Sequence, residues 1–223
     1  LNELLIKGIG HKKFKKTEMG EIPEEWDLVK LDDVSNLITD GTHKTPKYIQ
    51  TGIPFLSTTN LVPFKEGFDF SSYKKFISAE EHKELTKRCK PEKGDILISK
   101  CGTIGLTKII DVDYEFSIFV GLALIKINRD KIYDKYLEQL LNSSIIQDKM
   151  KIFSPGSTRN TLAINAIRKI PITLPCIKEQ KEISSILGRS DEQIRVYENH
   201  LTKLNNLKKK LTDELLKGEL RLD

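Results

Sequence analysis

The C-terminal part of the chain carries a hydrophobic pattern that repeats in alternating steps of four and three residues. Eight of the ten positions of this repeat, which we call the seam, are apolar: Ile183, Leu187, Ser190, Ile194, Tyr197, Leu201, Leu204, Lys208, Leu211 and Leu215. This spacing is typical of a coiled coil, whose outer positions are polar, as they are here. No proline follows Cys176, and Gly218 is a suitable helix stop. The pattern predicts one long helix over residues 176–218, about 60 Å in length.

A helix of this length cannot cover its own apolar stripe, so the seam predicts that it packs against another helix. A partner helix from a second chain satisfies the pattern. A long amphipathic helix folded back onto its own domain satisfies it as well, and this alternative stays open at the level of the sequence.

Residues 21–175 show short apolar runs that are broken by turn residues, which is typical of a globular domain. Runs rich in β-branched residues predict strands, and helical spacing predicts two helical regions. The predicted strands are Trp26–Val29, Asp95–Ser99, Leu106–Ile110 and Phe116–Ile127, and the predicted helical regions are Ser78–Arg88 and Asp134–Ile152. Since no regular alternation of strand and helix is visible, we expect an α/β (α+β) domain with a mixed sheet.

The two ends of the chain resemble each other. Residues 1–8 align without gaps with residues 211–218, with four identities. This similarity predicts that residues 1–20 form a short helical piece and a linker, in which residues 1–8 repeat part of the C-terminal helix. Residues 219–223 remain as a tail.

Composition and charge place few limits on the function. The 223 residues include 31% charged residues and have a net charge of +5, which suits a polyanionic partner but is common among other proteins. The three cysteines lack the spacing of metal-binding cysteines, and we expect them to be reduced thiols. No apolar run is long enough for a membrane span, and no signal peptide is visible, so we expect a cytoplasmic protein.

The sequence offers no recognisable catalytic or metal-binding constellation. A Gly-Lys pair, a Gly-x-Gly-x-x-Gly turn and the Asn/Asp-Pro-Pro-aromatic signature of amino methyltransferases are all missing. The four histidines are scattered and lack zinc-type spacing. We therefore expect no catalytic residues, no metal and no cofactor, although a triad built from distant residues remains open.

Three loop-like segments combine glycine and short hydroxyl residues with basic residues, as phosphate-binding loops do. They are residues 40–60, 94–105 and 154–161. Each is also compatible with an ordinary surface turn, where these residue types are common. The residues of these segments that we expect to contact DNA are Thr42, His43, Lys44, Thr45, Lys47, Lys100, Thr103, Ser157, Thr158, Arg159 and Asn160. Among them, Arg159 and Asn160 suit base edges, and Lys44, Lys47 and Lys100 suit phosphates.

These segments, in this order, resemble the specificity subunits of type I restriction-modification systems. Residues 7–26 are similar to the lead-in of a target recognition domain, and the Gly-Thr-His-Lys-Thr-Pro, Gly-Ile-Pro-Phe and Gly-Asp-Ile-Leu-Ile-Ser motifs to its recurring elements. Residues 170–183 resemble the family's bridge into a conserved long helix, except that Cys176 stands where a second proline is more frequent. The resemblance covers nearly the whole chain.

What the resemblance implies is a non-catalytic subunit that reads double-stranded DNA. Full subunits of this family have two recognition domains and two long helices, whereas this chain has one of each. It implies a half subunit that forms a homodimer with the two helices antiparallel and reads two inverted half-sites. The expected dimer interface is Ile183, Leu187, Ile194, Tyr197, Leu201, Leu204, Leu211 and Leu215.

The resemblance also implies two further partners, a methyltransferase subunit that modifies adenine and a motor-nuclease subunit. Those partners, and not this chain, would hold S-adenosylmethionine, ATP and magnesium. The residues leave three other readings open: a coiled-coil adaptor that does not bind DNA, an enzyme with an unrecognised motif such as a nuclease, and a silent copy that serves as a source of recognition domains.

Overall fold

The computed structural model of the protein describes residues 2–60, 75–152 and 161–216. The chain divides into two compact units, with the boundary between Ile183 and Ser184. The first unit is a mixed α/β domain, and the second continues the C-terminal helix. In the described ranges, we find no helix that is both long and apolar enough to cross a membrane.

The first unit begins with helix α1 (Asn2–Lys7) and a hairpin of strands β1 (Phe14–Thr17) and β2 (Gly20–Pro23). Leu5 and Ile6 of α1 are buried, and the Leu5 carbonyl accepts a hydrogen bond from the Thr173 hydroxyl at 3.0 Å. The predicted N-terminal helical piece is therefore present. Leu5 and Ile6 are therefore covered within the single chain, whereas Leu4 is half-buried.

A four-stranded antiparallel sheet forms the centre of this unit, in the order β4 (Ser35–Asp40), β10 (Leu122–Ile127), β7 (Ile96–Ser99) and β8 (Thr107–Ile109). Strands β7 and β10 are almost entirely buried because both faces of the sheet are covered. A smaller sheet has the order β6 (Phe76–Ile77), β5 (Ile53–Leu56), β9 (Ser117–Ile118), and its β5–β9 pair is parallel.

The remaining elements of the unit cover these sheets. Strands β3 (Asp27–Lys30) and β11 (Pro171–Leu174) form an antiparallel pair. The helices are α2 (Ala79–Thr86), α3 (Asp134–Asn142), α4 (Ser144–Ile152) and α5 (Ile164–Arg168). Two short 3-10 turns lie at Leu31–Val34 and Thr58–Asn60.

Helix α6 spans Ile177–Leu216 in 40 residues, close to the predicted range; Lys217 and Gly218 lie outside the described residues. Its first turn is fixed within the first unit by two polar side chains. Glu179 accepts hydrogen bonds from the Trp26 indole at 3.0 Å and from the Ile9 amide at 3.2 Å, and it lies 2.8 Å from His11 Nε2. The side chain of Gln180, fully buried, bonds the backbone at residues 131, 133 and 175.

A glycine makes this attachment possible. Gly8 ends α1 with a positive φ of 66°, a conformation that favours glycine. A Cβ atom here would lie 2.6 Å from both Glu179 Oε1 and the Trp26 ring. The Lys-Gly-Ile-Gly-His motif thus brings the N-terminal segment against the start of α6.

The strand predictions are confirmed, with one change. The predicted run Phe116–Ile127 is two strands, β9 and β10, which are separated by a turn. The predicted helical region Asp134–Ile152 is likewise two helices, because the chain is extended at Ser143, where ψ is 148°. The predicted loop at residues 154–158 lies outside the described residues.

Candidate nucleic-acid interface

Three strands of the central sheet bring their ends to one edge, from which two of the predicted loops leave. Asp40 at the end of β4 pairs with Ala123, and Ser99 at the end of β7 pairs with Leu122. The loops that follow these two strands, residues 41–47 and 100–106, therefore start beside each other. We call this side of the domain the recognition edge.

The turn between β9 and β10 is hydrogen-bonded to the backbone of the first loop. Thr42 donates its amide to the Ile118 carbonyl at 3.1 Å, and Val120 donates to the Thr42 carbonyl at 2.9 Å. Gly41 approaches this turn so closely that a Cβ atom would collide with the Ile118 carbonyl. Glycine at position 41 is thus required by the close packing of the two backbones.

Two further segments, the Thr58–Asn60 turn and the chain at Thr161 and Leu162, lie at the same edge. A Cβ atom at Gly121 would lie 3.0 Å from the Thr58 methyl group, which places the Thr58–Asn60 turn beside the recognition edge. Thr161 forms an isolated bridge with Cys101, and the Leu162 amide donates to the Lys100 carbonyl at 2.8 Å. The C-terminal end of the third predicted loop is therefore hydrogen-bonded to the start of the second loop. Its candidates Ser157, Thr158, Arg159 and Asn160 lie outside the described residues.

Asp40 is the electrostatic centre of this edge. Its buried carboxylate accepts a 2.6 Å hydrogen bond from the Lys100 ammonium and a hydrogen bond from Nη2 of Arg88, and it lies 3.2 Å from His43 Nε2. Burial acts to raise the pKa of Asp40, but the hydrogen bond and charge of Lys100, with His43 and Arg88, hold it below its ordinary value. Asp40 is therefore an anion that joins three segments of the chain.

This arrangement corrects the expectation for Lys100. We predicted that Lys100 contacts phosphate, but its side chain is only 7% exposed and its ammonium is paired with Asp40. A buried lysine whose charge is satisfied in this way holds the second loop in place and does not offer a free cation to DNA.

The remaining described candidates lie at the surface. His43, Lys44, Thr45, Lys47 and Thr103 are exposed, and Thr42 is half-buried. The Thr42 hydroxyl accepts a 3.2 Å bond from the Lys44 amide, and Glu81 accepts a 3.2 Å bond from the Lys47 amide. The structure thus brings the first and second loops together and leaves their polar side chains accessible.

Sequence reasoning missed two residues of this edge, Asp40 and Arg88. Asp40 precedes the Gly-Thr-His-Lys motif directly, and a carboxylate next to a basic loop was the available signal. Arg88 ends the predicted helical region Ser78–Arg88, and only its approach to Asp40, 48 residues away along the chain, reveals its position.

The seam on α6 divides into a buried and an exposed part. Ile183 and Leu187 are 0% and 3% exposed within the single chain, so these two predicted interface residues are not available to a partner helix. The six others are exposed: Ile194, Tyr197, Leu201, Leu204, Leu211 and Leu215, joined by Leu207 beside the seam. An apolar row of this length is typical of an interaction surface.

The structure thus defines a class of protein in which a mixed α/β domain with a loop-lined edge is followed by a long helix with an exposed apolar row. A family model described as the type I restriction modification DNA specificity domain matches residues 23–206. The chain therefore belongs to the type I restriction-modification DNA specificity family.

Individual proteins agree with this assignment. The type I restriction enzyme MjaVIII specificity subunit of Methanocaldococcus jannaschii is 25% identical over 228 residues, covering 100% of this chain and 53% of that protein. The EcoBI specificity subunit of Escherichia coli is 26% identical over 217 residues, covering 92% of this chain and 45% of that protein. The crystal structure of the HsdS subunit from Thermoanaerobacter tengcongensis has a similar fold, with a TM-score of 0.64 at 20% identity, over 93% of this chain and 48% of that one. The chain spans about half the length of the curated relatives it matches.

Proposed function

We propose that the protein is a non-catalytic DNA-specificity subunit of a type I restriction-modification complex, and that two copies pair through α6 to read two inverted half-sites. In this proposal it docks a methyltransferase subunit and a motor-nuclease subunit in the cytoplasm. The observation that carries DNA reading is the convergence of exposed basic and hydroxyl side chains on the recognition edge.

The chemistry of the recognition edge fits a DNA duplex. Lys44 and Lys47 supply exposed cations for phosphates, and Thr42, Thr45 and Thr103 supply short hydroxyl groups. The bases would be read by Arg159 and Asn160, whose side chains match the paired donors and acceptors of base edges. Asp40 supports this surface from inside without presenting its own charge, since it is buried and paired.

The exposed apolar row on α6 supports pairing with a second copy. Tyr197, Leu201 and Leu204 are 71%, 60% and 62% exposed. At about 25 cal/mol per Å² of buried apolar surface, a row of large side chains of this length favours association strongly. In this proposal the second copy supplies a second recognition domain and a second long helix.

The seam sequence favours an antiparallel pair with a definite register. When the two-fold axis passes between residues 202 and 203, Leu201 faces Leu204 of the partner copy, Ile194 faces Leu211, and Ser190 faces Leu215. Lys208 then faces Tyr197, where an aromatic ring accommodates a cation. In a parallel pair in register, Lys208 faces Lys208 of the partner copy, so that two like charges meet in the seam.

Cysteine cross-linking tests this orientation. With Cys89, Cys101 and Cys176 replaced by serine, we expect a mixture of Ile194→Cys and Leu211→Cys proteins to form disulfide-linked dimers on mild oxidation. Each single variant alone should remain uncross-linked, because the substituted cysteines of the two copies lie about 26 Å apart in the antiparallel register. A rapid cross-link within Ile194→Cys alone would instead indicate a parallel pair.

A DNA-binding titration across salt tests the proposed function itself. We expect the protein to bind a duplex of random sequence with an affinity that falls steeply as salt rises, because phosphate contacts release counterions. A coiled-coil adaptor gives no binding, and a nuclease cleaves the duplex when magnesium is added. Either result would overturn the proposal.

Two substitutions distinguish phosphate contacts from base contacts. Lys47→Ala should weaken binding to every sequence alike and lower the salt slope, whereas Arg159→Ala should cost about 1–3 kcal/mol on the cognate site and relax the preference at one base. The measurement is the dissociation constant of each variant on cognate and random duplexes. If both variants lose cognate and random DNA equally, the assigned roles are incorrect.

A further inference from the structure

We propose that Arg88, which lies outside all three predicted loops, is a DNA-phosphate contact of the recognition edge. This inference rests on the proposed function and adds a binding residue that directly follows helix α2, outside the loop motifs. It depends on the position of Arg88 and on the balance of charge around Asp40.

Helix α2 lies along the first loop. Glu81 in its first turn binds the Lys47 amide at 3.2 Å, and Arg88, just beyond its end, reaches Asp40 at the start of the same loop. Helix α2 is attached to strand β9 by a buried 2.9 Å contact between His82 Nδ1 and the Ser117 hydroxyl. Arg88 therefore lies against Asp40, which His43 also contacts from the first loop.

The charges around Asp40 leave Arg88 with a surplus positive charge. One buried carboxylate faces two permanent cations, and Lys100, only 7% exposed, already neutralises it. The Arg88 side chain is 56% exposed. The cluster thus carries a net charge of about +1, and the exposed member that can present it to a ligand is Arg88.

The chemistry of the guanidinium fits a phosphate. Arginine has five N–H donors in a planar fork, and the contact with Asp40 uses Nη2. A guanidinium whose orientation is already fixed by a carboxylate loses little conformational entropy on binding a second anion. The phosphate contact is then made without breaking the pair that supports the loops.

The test compares Arg88→Ala with Lys87→Ala on a 40-base-pair duplex of random sequence across a range of salt concentrations. Lys87 is the matched control, because it is the adjacent cation, its side chain is 65% exposed, and its ammonium contacts only Glu84 of the same helix among the described residues. For Arg88→Ala we expect a loss of affinity of about tenfold for each copy bound, and a salt slope smaller by about 0.9 per copy. Lys87→Ala should leave both quantities unchanged.

Arg88→Lys and thermal unfolding separate a contact from a structural effect. Arg88→Lys keeps the charge, so the salt slope of the original protein should return. A weaker Arg88→Ala complex with an unchanged salt slope would mean that Arg88 only positions the loops, and binding equal to that of Lys87→Ala would remove the contact altogether. If the unsubstituted protein does not bind DNA, the proposed function fails and this contact with it.

Discussion

The double substitution Leu201→Glu with Leu204→Glu is expected to leave the protein monomeric, at the chain mass of 25.5 kDa. In the antiparallel register these two positions form the central layer, so four carboxylates would meet at the two-fold axis. Charges buried there without partners cost several kcal/mol. Light scattering measures the mass, and DNA affinity should fall by about two to four orders of magnitude because the two half-sites are no longer bound together.

The matched control is Asn199→Glu with Asn206→Glu. These positions lie on the outer face of the same helix and are exposed, so the added charge is equal but the seam is intact. We expect this variant to remain dimeric. A dimer that survives the Leu201 and Leu204 substitutions would show that the exposed apolar row is not the interface.

The second large effect is expected for Asp40→Asn, which should lower the free energy of unfolding by about 3–5 kcal/mol. The variant leaves the buried Lys100 ammonium without its carboxylate and releases Arg88 from its only described partner. Asp113→Asn is the control, since the Asp113 side chain is 80% exposed and its pair with Lys93 lies at the surface. That change should cost less than about 1 kcal/mol.

The difference in stability between the original protein and Asp40→Asn should depend on pH. The pKa of Asp40 is lowered in the folded state, by Lys100 against the opposing effect of burial. Its contribution is therefore fully present above the ordinary aspartate pKa of about 3.9 and is lost as pH falls through the lowered value. Chemical denaturation at several pH values measures this. A difference below about 1 kcal/mol at neutral pH would contradict the central role of Asp40.

The long helix and several strands were predictable because their signals are local. The seam repeats over many turns, and the runs around β7, β8 and β10 are rich in β-branched residues. The break between α3 and α4 was not visible, because no proline or glycine marks Ser143. The backbone turns there while the Ser143 hydroxyl donates to the Leu140 carbonyl at 2.6 Å.

The candidate site was predictable as a set of loops but not as a set of roles. Lys44 and Lys100 look alike in the sequence, as basic residues near glycine and threonine. Their difference arises from Asp40, which lies four residues from Lys44 but 60 residues from Lys100, and sequence spacing does not reveal which lysine it binds. For the same reason, Ile183 and Leu187 share the seam spacing with Leu201, although the first two are buried in the single chain.

We propose that two identical domains, joined by antiparallel helices, read two identical half-sites. The decisive experiment is to map methylated adenines in the genome of a host in which this chain is the only specificity subunit, expressed with its methyltransferase. We expect a single motif made of two inverted, identical half-sites separated by a fixed gap. A motif with two different half-sites, or no methylation that depends on this chain, would contradict it.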